Sequence, residues 1–331
     1  MKISDAMIDR QLRRTGMLIR RFSAPPTERR LRRLTRLVDT VVPLARIGVS
    51  RTMRVREVGI DRADGTRLRV LIYSPRTLAA NATGVLWLHG GGYFLGRPEQ
   101  DVAVYRQMVR NTGCVIIAPD YRRSVEEPYP AALDDGYTAL IWLRDNAIRL
   151  GINPDQLAIA GESAGGGLTA ALTLLARDRA EVNIAFQMPI YPMIDDRVCT
   201  ESARDSDAPL LDTATLIGAW QLYLRDLHGT QGVPIYAAPA RATDLRGLPP
   251  TFTYVGDLEP FRDETIAYVD GLRACGVPVD FEIYPGCWHG FDRLVPRARV
   301  SRQAMSSRER WLRHAIATYF AAQPGERQEL A

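Results

Sequence analysis

The sequence has few cysteines, and they are widely separated along the chain. Only four of the 331 residues are cysteine, Cys114, Cys199, Cys275 and Cys287, and no two form a Cys-x-x-Cys motif. This scatter over a long chain argues against a disulfide framework and against a structural zinc site. We therefore expect reduced thiols, no metal and a cytoplasmic location.

Lysine is almost absent, and long apolar runs are lacking. Of the 43 lysine and arginine residues only Lys2 is lysine, and the net charge is +5. The arginine-rich stretches at 10–22 and 28–38 contain no interleaved aromatics or nucleic-acid motif, so no nucleic-acid partner is expected. No apolar run approaches the roughly 18 residues that span a bilayer, and no signal-peptide h-region is present. We expect no integral membrane segment.

Residues 1–48 have the pattern of amphipathic helices. Leu31, Leu34, Leu37 and Val38 share one helical face, and arginines lie between them. The pattern favours a helical cap packed on a core. A helix that lies on a membrane surface has the same pattern, so peripheral membrane contact through these helices stays open.

From residue 52 onward the pattern changes to short strands that alternate with helices. Two strands joined by "DRADG" come first, and buried strands then alternate with helical segments. This alternation predicts an α/β fold with a mostly parallel sheet, helices on both faces and one antiparallel edge. The stretch from about Met193 to Asp226 interrupts the alternation and indicates an insertion above the sheet.

The segment Gly161-Glu162-Ser163-Ala164-Gly165 joins a buried strand to a helix rich in small residues. This strand–turn–helix context is typical of a nucleophile elbow, in which glycines allow a sharp turn. A phosphate-binding turn is the alternative, but no Gly-x-Gly-x-x-Gly pattern or Walker lysine accompanies it. We predict that Ser163 is a nucleophile.

A second glycine-rich segment, beginning His89-Gly90-Gly91-Gly92, follows the strand near 84–88. Consecutive glycines cost conformational entropy, which suggests that their backbone N–H groups must face a ligand. The oxyanion of a tetrahedral intermediate in acyl transfer needs such donors. We assign this role to the N–H groups of Gly91, Gly92 and Ala164.

A serine nucleophile needs a base, and the chain offers four histidines: His89, His228, His289 and His314. Only His289 lies in a loop directly after a late predicted strand, where an open α/β sheet places its site. His289 is therefore the predicted base, by position and by elimination, while His89 is expected to hold the glycine loop.

A base of this kind is oriented by an acid, and "GDLEPFRDE" (256–264) contains four carboxylates. Asp263 and Glu264 fall in the predicted first turn of a helix, where carboxylates favour the helix dipole. Asp257 and Glu259 come just after a strand, so both are candidates for the acid.

The order HGGG, GESAG, an acid before RDE, and HGF resembles the hormone-sensitive-lipase-like group of α/β-hydrolases, the bacterial family IV esterases. The segments at 118–135 ("APDYRRSVEEPYPAALDD") and 191–196 ("YPMIDD") are also similar. The resemblance implies an α/β-hydrolase fold with an eight-stranded sheet and a helical cap. It further implies hydrolysis of carboxylic esters with short or medium acyl chains, and no cofactor.

The resemblance also places the third member of a triad and the limits of the cap. Alignment on Pro260 puts Glu259 where the family has aspartate, with Asp257 as the rival. In the family, the N-terminal residues and the insertion after strand six form the cap. The ranges predicted on this basis are 1–50 and 193–232 for the cap, and 51–192 and 233–331 for the catalytic core.

Apolar residues near the predicted site are candidates for substrate binding: Tyr93, Phe94, Tyr191, Ile217 and Trp220. The motifs do not separate esters from amides, lactones or thioesters, so hydrolysis or transfer at those bonds stays open. A non-catalytic receptor for small molecules on the same fold is a further alternative, which loss of a triad member would mark. A homodimer through an edge strand near 279–284 is also predicted.

Overall fold

The computed structural model describes residues 1–22, 28–46 and 49–325. The segment "SAPPTE" (23–28) predicts a break between two N-terminal helices; its residues 23–27 lie outside the described residues, and Glu28 is the first residue of the second helix. The strands are β1 (Arg54–Asp61), β2 (Arg67–Ser74), β3 (Ala82–Leu88), β4 (Val115–Pro119), β5 (Ile152–Glu162), β6 (Phe186–Ile190), β7 (Thr251–Gly256) and β8 (Val279–Tyr284). The helices are α1 (Arg13–Phe22), α2 (Glu28–Val41), α3 (Val102–Thr112), α4 (Ala131–Asn146), α5 (Ala164–Arg179), α6 (Thr213–Leu224), α7 (Arg262–Ala274), α8 (Phe291–Leu294) and α9 (Arg299–Thr318).

The strands form one sheet of eight in the order β1-β2-β4-β3-β5-β6-β7-β8. Strand β2 runs antiparallel to β1 and β4, and the other neighbours are parallel. The predicted fold class is therefore confirmed. In the register, Leu88 pairs with Gly161 and Gly256 pairs with Tyr284. The loops that follow β3, β5, β7 and β8 consequently leave the same edge of the sheet.

The central strands are buried on both faces. Every residue of β3, β4, β6 and β7 is buried. Continuous apolar sequence is what such strands need, because helices cover both sides of a parallel sheet. Strand β1 forms the exposed antiparallel edge, and Ile60 is its one buried residue.

The N-terminal residues lie against the insertion and against the loop that carries His289. Asp207 of the insertion accepts hydrogen bonds from the backbone N–H of Ile3 (2.8 Å) and from Arg20 Nη2 (2.6 Å). In α1, Gly16 faces Trp288 so closely that an added methyl group would lie 2.8 Å from Trp288 Nε1. Glycine at this position therefore lets the helix pack beside His289.

Helix α2 is attached to the loops beside the glycine-rich segment. The Asp39 carboxylate accepts hydrogen bonds from Arg97 Nε and from Arg123 Nη1, each at 2.7 Å. Among the described residues, none of the helices combines the length and the apolar character that crossing a bilayer requires.

Candidate active site

Ser163 occupies the turn between β5 and α5 with a backbone conformation that non-glycine residues rarely adopt. Its φ is 59° and its ψ is −120°. Such a conformation costs about 1–3 kcal/mol and persists only where the surroundings impose it. The Ser163 N–H donates to Ile190 O (3.0 Å), and Ser163 O accepts from Met193 N–H (3.0 Å). Backbone contacts from the β6 end thus fix the turn on which the side chain stands.

The two outer glycines of the elbow are required by close backbone contacts. A methyl group added at Gly161 would lie 2.4 Å from Gly165 O, and one added at Gly165 would lie 2.0 Å from Leu88 O. Both distances are well below van der Waals contact, and the opposing atoms belong to buried backbone. The Gly-x-Ser-x-Gly pattern therefore follows from packing of β3, β5 and α5.

Ser163, His289 and Glu259 form a hydrogen-bonded chain at the common edge of the sheet. His289 Nε2 lies 2.8 Å from Ser163 Oγ, and His289 Nδ1 lies 2.5 Å from Glu259 Oε2. A carboxylate can only accept from Nδ1–H, so Nε2 is left to accept the serine proton. Glu259 is fully buried, and its Oε1 accepts from the Gly256 N–H at 2.7 Å. Burial raises the pKa of Glu259, and His289 opposes that rise.

Asp257, the rival acid, lies outside this chain. Within the described residues His289 bonds to Glu259 and Ser163 but not to Asp257. Burial raises the pKa of Asp257, and the backbone N–H groups of Gly286 and Cys287 oppose the rise. Asp257 therefore interacts with the loop that precedes His289, not with its imidazole.

Two aromatic rings hold the imidazole of His289 by their edges. The Tyr191 and Phe261 ring centroids lie 4.9 Å and 5.0 Å from that of His289, at interplanar angles of 75° and 90°. Edge-to-face contacts of this kind are favourable and restrict rotation of the ring. The Tyr191 hydroxyl is itself fixed, because it donates to Asp292 Oδ1 at 3.2 Å.

The glycine loop after β3 presents backbone to the same site. Gly91 and Gly92 have φ values of 129° and 60°, and both line the cavity described below. Neither N–H donates to another described residue, so both remain available to a ligand. Ala164 is the first residue of α5, where a helix leaves its N–H without an intrahelical acceptor. The three N–H groups therefore come from two loops at one sheet edge.

His89 supports the glycine loop from beneath. Its Nδ1–H donates to Gly90 O at 2.9 Å, and its ring stacks on Tyr121 at 4.1 Å between centroids. The Tyr121 hydroxyl donates to His89 O at 2.6 Å. Burial lowers the pKa of His89 to about 4. The side chain is consequently neutral near pH 7 and bonded to the loop.

This neutral histidine should make the protein less stable in acid. Its ordinary pKa is 6.5, so the unfolded chain takes up a proton on acidification that the folded chain refuses until about pH 4. Stability is therefore full above pH 6.5 and falls between pH 6.5 and pH 4, by about 3 kcal/mol. In His89→Asn this share of the pH dependence should be missing from urea unfolding curves. Exposed His314→Asn is the control and should behave like the parent; an unchanged slope in His89→Asn would contradict the assignment.

A cavity of about 350 Å³ opens above Ser163 and His289. That volume is within the range of small-molecule sites. Phe94 and Tyr191, two of the five predicted binding residues, line it. Its other side chains are mostly apolar, and they include Met193, Leu210, Leu211, Thr215, Ala219, Phe261 and Leu294, with Gln100, Glu162 and Arg293 as the polar lining.

The other three predicted binding residues, Tyr93, Ile217 and Trp220, are not among the residues that line this cavity. Tyr93 is buried below the glycine loop, where its ring stacks on Tyr223 at 3.9 Å and its hydroxyl donates to Met193 O. Trp220 is fully buried, 5.8 Å from the Tyr93 ring. Ile217 faces a separate groove beside Arg197.

Helix α6 turns a different face to the cavity than its most apolar residues suggest. Thr215 and Ala219 line the cavity one turn apart, and Ile217, halfway between them, points away. The small residues Thr215 and Ala219, one turn apart, were the feature of the sequence that could have indicated this face.

Among the described residues no group of three His, Cys, Asp or Glu side chains could hold a metal ion.

Known proteins are similar to this chain in both sequence and architecture. A family model described as the alpha/beta hydrolase fold matches residues 85–293. The chain is 35% identical to the carboxylesterase NlhH of Mycobacterium tuberculosis, over 73% of this chain and 77% of that protein. It is 32% identical to an arylesterase of Saccharolobus solfataricus, over 82% and 85%. Among solved structures, a bacterial heroin esterase superposes with a TM-score of 0.88 at 32% identity, covering 96% of this chain and 100% of that one.

These likenesses extend over the sheet, the elbow and the loop that carries His289, and the motif order is that of the resemblance drawn from the sequence. The chain belongs to the α/β-hydrolase fold family, in its hormone-sensitive-lipase-like group.

Proposed function

We propose that the protein is a carboxylesterase that hydrolyses esters with short or medium acyl chains through an acyl-enzyme intermediate. The observation that carries the proposal is the hydrogen-bonded chain Ser163–His289–Glu259 at the floor of the cavity. The printed names of the relatives, which are carboxylesterase, arylesterase and heroin esterase, support ester hydrolysis in the same group.

In the first half-reaction, Ser163 Oγ attacks the ester carbonyl carbon while its proton passes to His289 Nε2. The carbonyl π electrons move to oxygen, and the N–H groups of Gly91, Gly92 and Ala164 stabilise the resulting oxyanion. Collapse of the tetrahedral intermediate breaks the bond to the alkoxy oxygen, which takes the proton from His289. An alcohol leaves, and the acyl group remains on Ser163.

In the second half-reaction, water loses a proton to His289 and attacks the acyl carbon. The second tetrahedral intermediate collapses, and Ser163 recovers its proton as the carboxylic acid leaves. Throughout both halves, Glu259 accepts from Nδ1–H, keeps the productive tautomer and stabilises the charge that forms on the ring.

The lining of the cavity supports neutral ester substrates. Its walls are mostly apolar, and its two charged side chains, Glu162 and Arg293, pair with each other at 2.8 Å. An ester that carries a carboxylate or an ammonium group finds no unpaired counter-charge there. Phe94 and Tyr191 contribute apolar surface for the acyl or alcohol group.

A panel of p-nitrophenyl esters tests the proposal. Acetate and butyrate should be hydrolysed, longer chains progressively less well, and a fluorophosphonate should add one phosphonyl group to the peptide that contains Ser163. Matched amides, lactones and thioesters complete the panel. No ester hydrolysis together with no label on Ser163 would reject the function, and faster amide or thioester cleavage would shift the substrate class.

We also propose that residues 1–50 and 193–232 act as a cap over the cavity. Leu210, Leu211 and Ala219 of the insertion line the cavity from above, and the N-terminal residues are bonded to the insertion through Asp207. Residues 51–192 and 233–331 then form the catalytic core.

For partners beyond the ester, we propose a homodimer through β8. Within the part of the chain that the structure describes, this strand pairs only with β7, and it exposes Ile283, so its outer edge can pair with a second copy. A single monomeric species in light scattering would reject the dimer.

We also propose a peripheral membrane contact through α1 and α2, and a cytoplasmic location. The exposed Leu18 and Leu37, with arginines nearby, support the membrane contact, which vesicle sedimentation tests. Four free cysteines support the location.

A further inference from the structure

Arg293 lies in α8, into which the loop that carries His289 continues, and its guanidinium contacts the other two loops of the site. Its Nη1 donates to Glu162 Oε2 at 2.8 Å, directly before the predicted nucleophile, and also to Asp101 Oδ1. Its Nη2 donates to Gln100 O at 2.9 Å. We propose that Arg293 is a positioning residue that fixes the His289 loop against the nucleophile elbow and the glycine loop. The inference rests on the proposed esterase function.

The partners of Arg293 are themselves bonded to the glycine loop and to β3. Gln100 Nε2 donates to Gly90 O at 3.1 Å, so the residue whose carbonyl binds Arg293 also holds the glycine loop. Asp101 Oδ2 accepts from Trp87 Nε1 at 2.7 Å, in the buried strand that leads to that loop. The groups that bind Arg293 are therefore held by the glycine loop and by β3, and they are not mobile surface groups.

The contact with the elbow is equally constrained. The second oxygen of Glu162 accepts from Arg308 Nη1 at 3.0 Å, and Arg308 on α9 is buried. Glu162 is thus held by two guanidinium groups, one of which belongs to the His289 loop. Within this small network, Arg293 pairs with Glu162 and Asp101, and Arg308 pairs with Glu162.

A planar guanidinium is suited to this task. Arg293 uses one nitrogen for two carboxylates and another for a backbone carbonyl, and lysine has no such rigid fork of donors. Buried ion pairs add little net stability, but removal of one partner leaves the other charge buried and uncompensated. The 2.8 Å contact between His289 Nε2 and Ser163 Oγ joins two of the loops that Arg293 ties together. Loss of Arg293 should therefore misalign base and nucleophile.

The test is steady-state kinetics of Arg293→Met on p-nitrophenyl butyrate. We expect kcat to fall about 10- to 100-fold, as a misplacement near 1 Å predicts, with KM within about threefold. Arg293→Lys keeps the charge and should recover part of the loss. Arg241→Met is the matched control, because it removes a partly buried pair with Asp196 (2.6 Å) away from the cavity. Its kcat should stay within about twofold of the parent.

A second pair of variants covers the case in which Arg293→Met does not fold. Glu162→Gln keeps the shape of the side chain and removes its charge. Glu162→Gln and Arg293→Lys should each lower kcat, and the double variant should fall no further than the worse single one, since both weaken one contact. Folding is monitored by circular dichroism and thermal unfolding.

Three results would overturn the inference: a folded Arg293→Met with the kcat of the parent, a change in KM alone, or an additive double variant. The outcome is separable from that of the proposed function. If Ser163→Ala is inactive and Arg293→Met is fully active, only the positioning role fails. If Ser163→Ala is fully active, the esterase mechanism itself fails.

Discussion

Ser163→Ala should lower kcat on p-nitrophenyl butyrate by roughly 10⁴-fold or more. The hydroxyl is the atom that forms the acyl-enzyme, and no other described side chain stands 2.8 Å from His289 Nε2. The methyl group of alanine fits the turn, so the melting temperature should change little. Background hydrolysis that remains would come from the N–H donors of Gly91 and Gly92 and from substrate binding alone.

Ser124→Ala is a suitable control for that experiment. Ser124 is also a buried serine, but its hydroxyl has no hydrogen-bond partner among the described residues and does not contact His289. Its activity and fluorophosphonate labelling should match the parent, while Ser163→Ala should take up no label. If Ser163→Ala kept more than a few per cent of the activity, the nucleophile would have to be another residue.

Glu259→Gln should lower kcat by roughly 10³- to 10⁴-fold. The amide N–H of glutamine can donate a hydrogen bond to Nδ1, which favours the tautomer with the proton on Nε2 and leaves Ser163 without a base. The change is isosteric, and Oε1 still accepts from the Gly256 N–H, so the fold should persist. The pH dependence of kcat/KM, followed from pH 5 to pH 9, shows whether activity recovers anywhere in that range.

Asp257→Asn is the matched comparison for the acid. Asp257 lies two residues earlier in the same loop and faces backbone N–H groups instead of the imidazole. We expect its kcat to stay within about threefold of the parent, because geometry at His289 is unchanged. If Asp257→Asn were the inactive variant and Glu259→Gln the active one, the assignment of the acid would be reversed.

The local sequence pattern was sufficient to predict the sheet and two of the three triad residues. The alternation of buried strands and helices predicts the parallel sheet because both faces of each strand need apolar residues. Ser163 and His289 follow from their places directly after strands. Glu259 needed more, since neither spacing nor charge distinguishes it from Asp257 without the family resemblance.

Contacts between segments that are distant in sequence could not be predicted from the local sequence pattern. Glu264 lies in the first turn of α7, as predicted, but the pattern did not show that it is buried and that its Oε1 accepts from the N–H of Ile194 at 2.8 Å. In α6, apolar character suggested Ile217 for the cavity, but packing of Trp220 on Tyr93 turns Thr215 and Ala219 inward. Arg293 belongs to no recognised motif, and the role proposed for it depends on its contacts with the elbow and with the segment at Gln100 and Asp101.

The strained backbone conformation of Ser163 is established when the protein folds, before any substrate binds. The positive φ is imposed by backbone contacts to Ile190 and Met193 that exist before any substrate arrives. The chain therefore meets this cost of about 1–3 kcal/mol once, on folding, and not again in each turnover. Each ester therefore binds beside a nucleophile that is already positioned. In each catalytic cycle, only the substrate has to change its geometry and only protons have to move between groups.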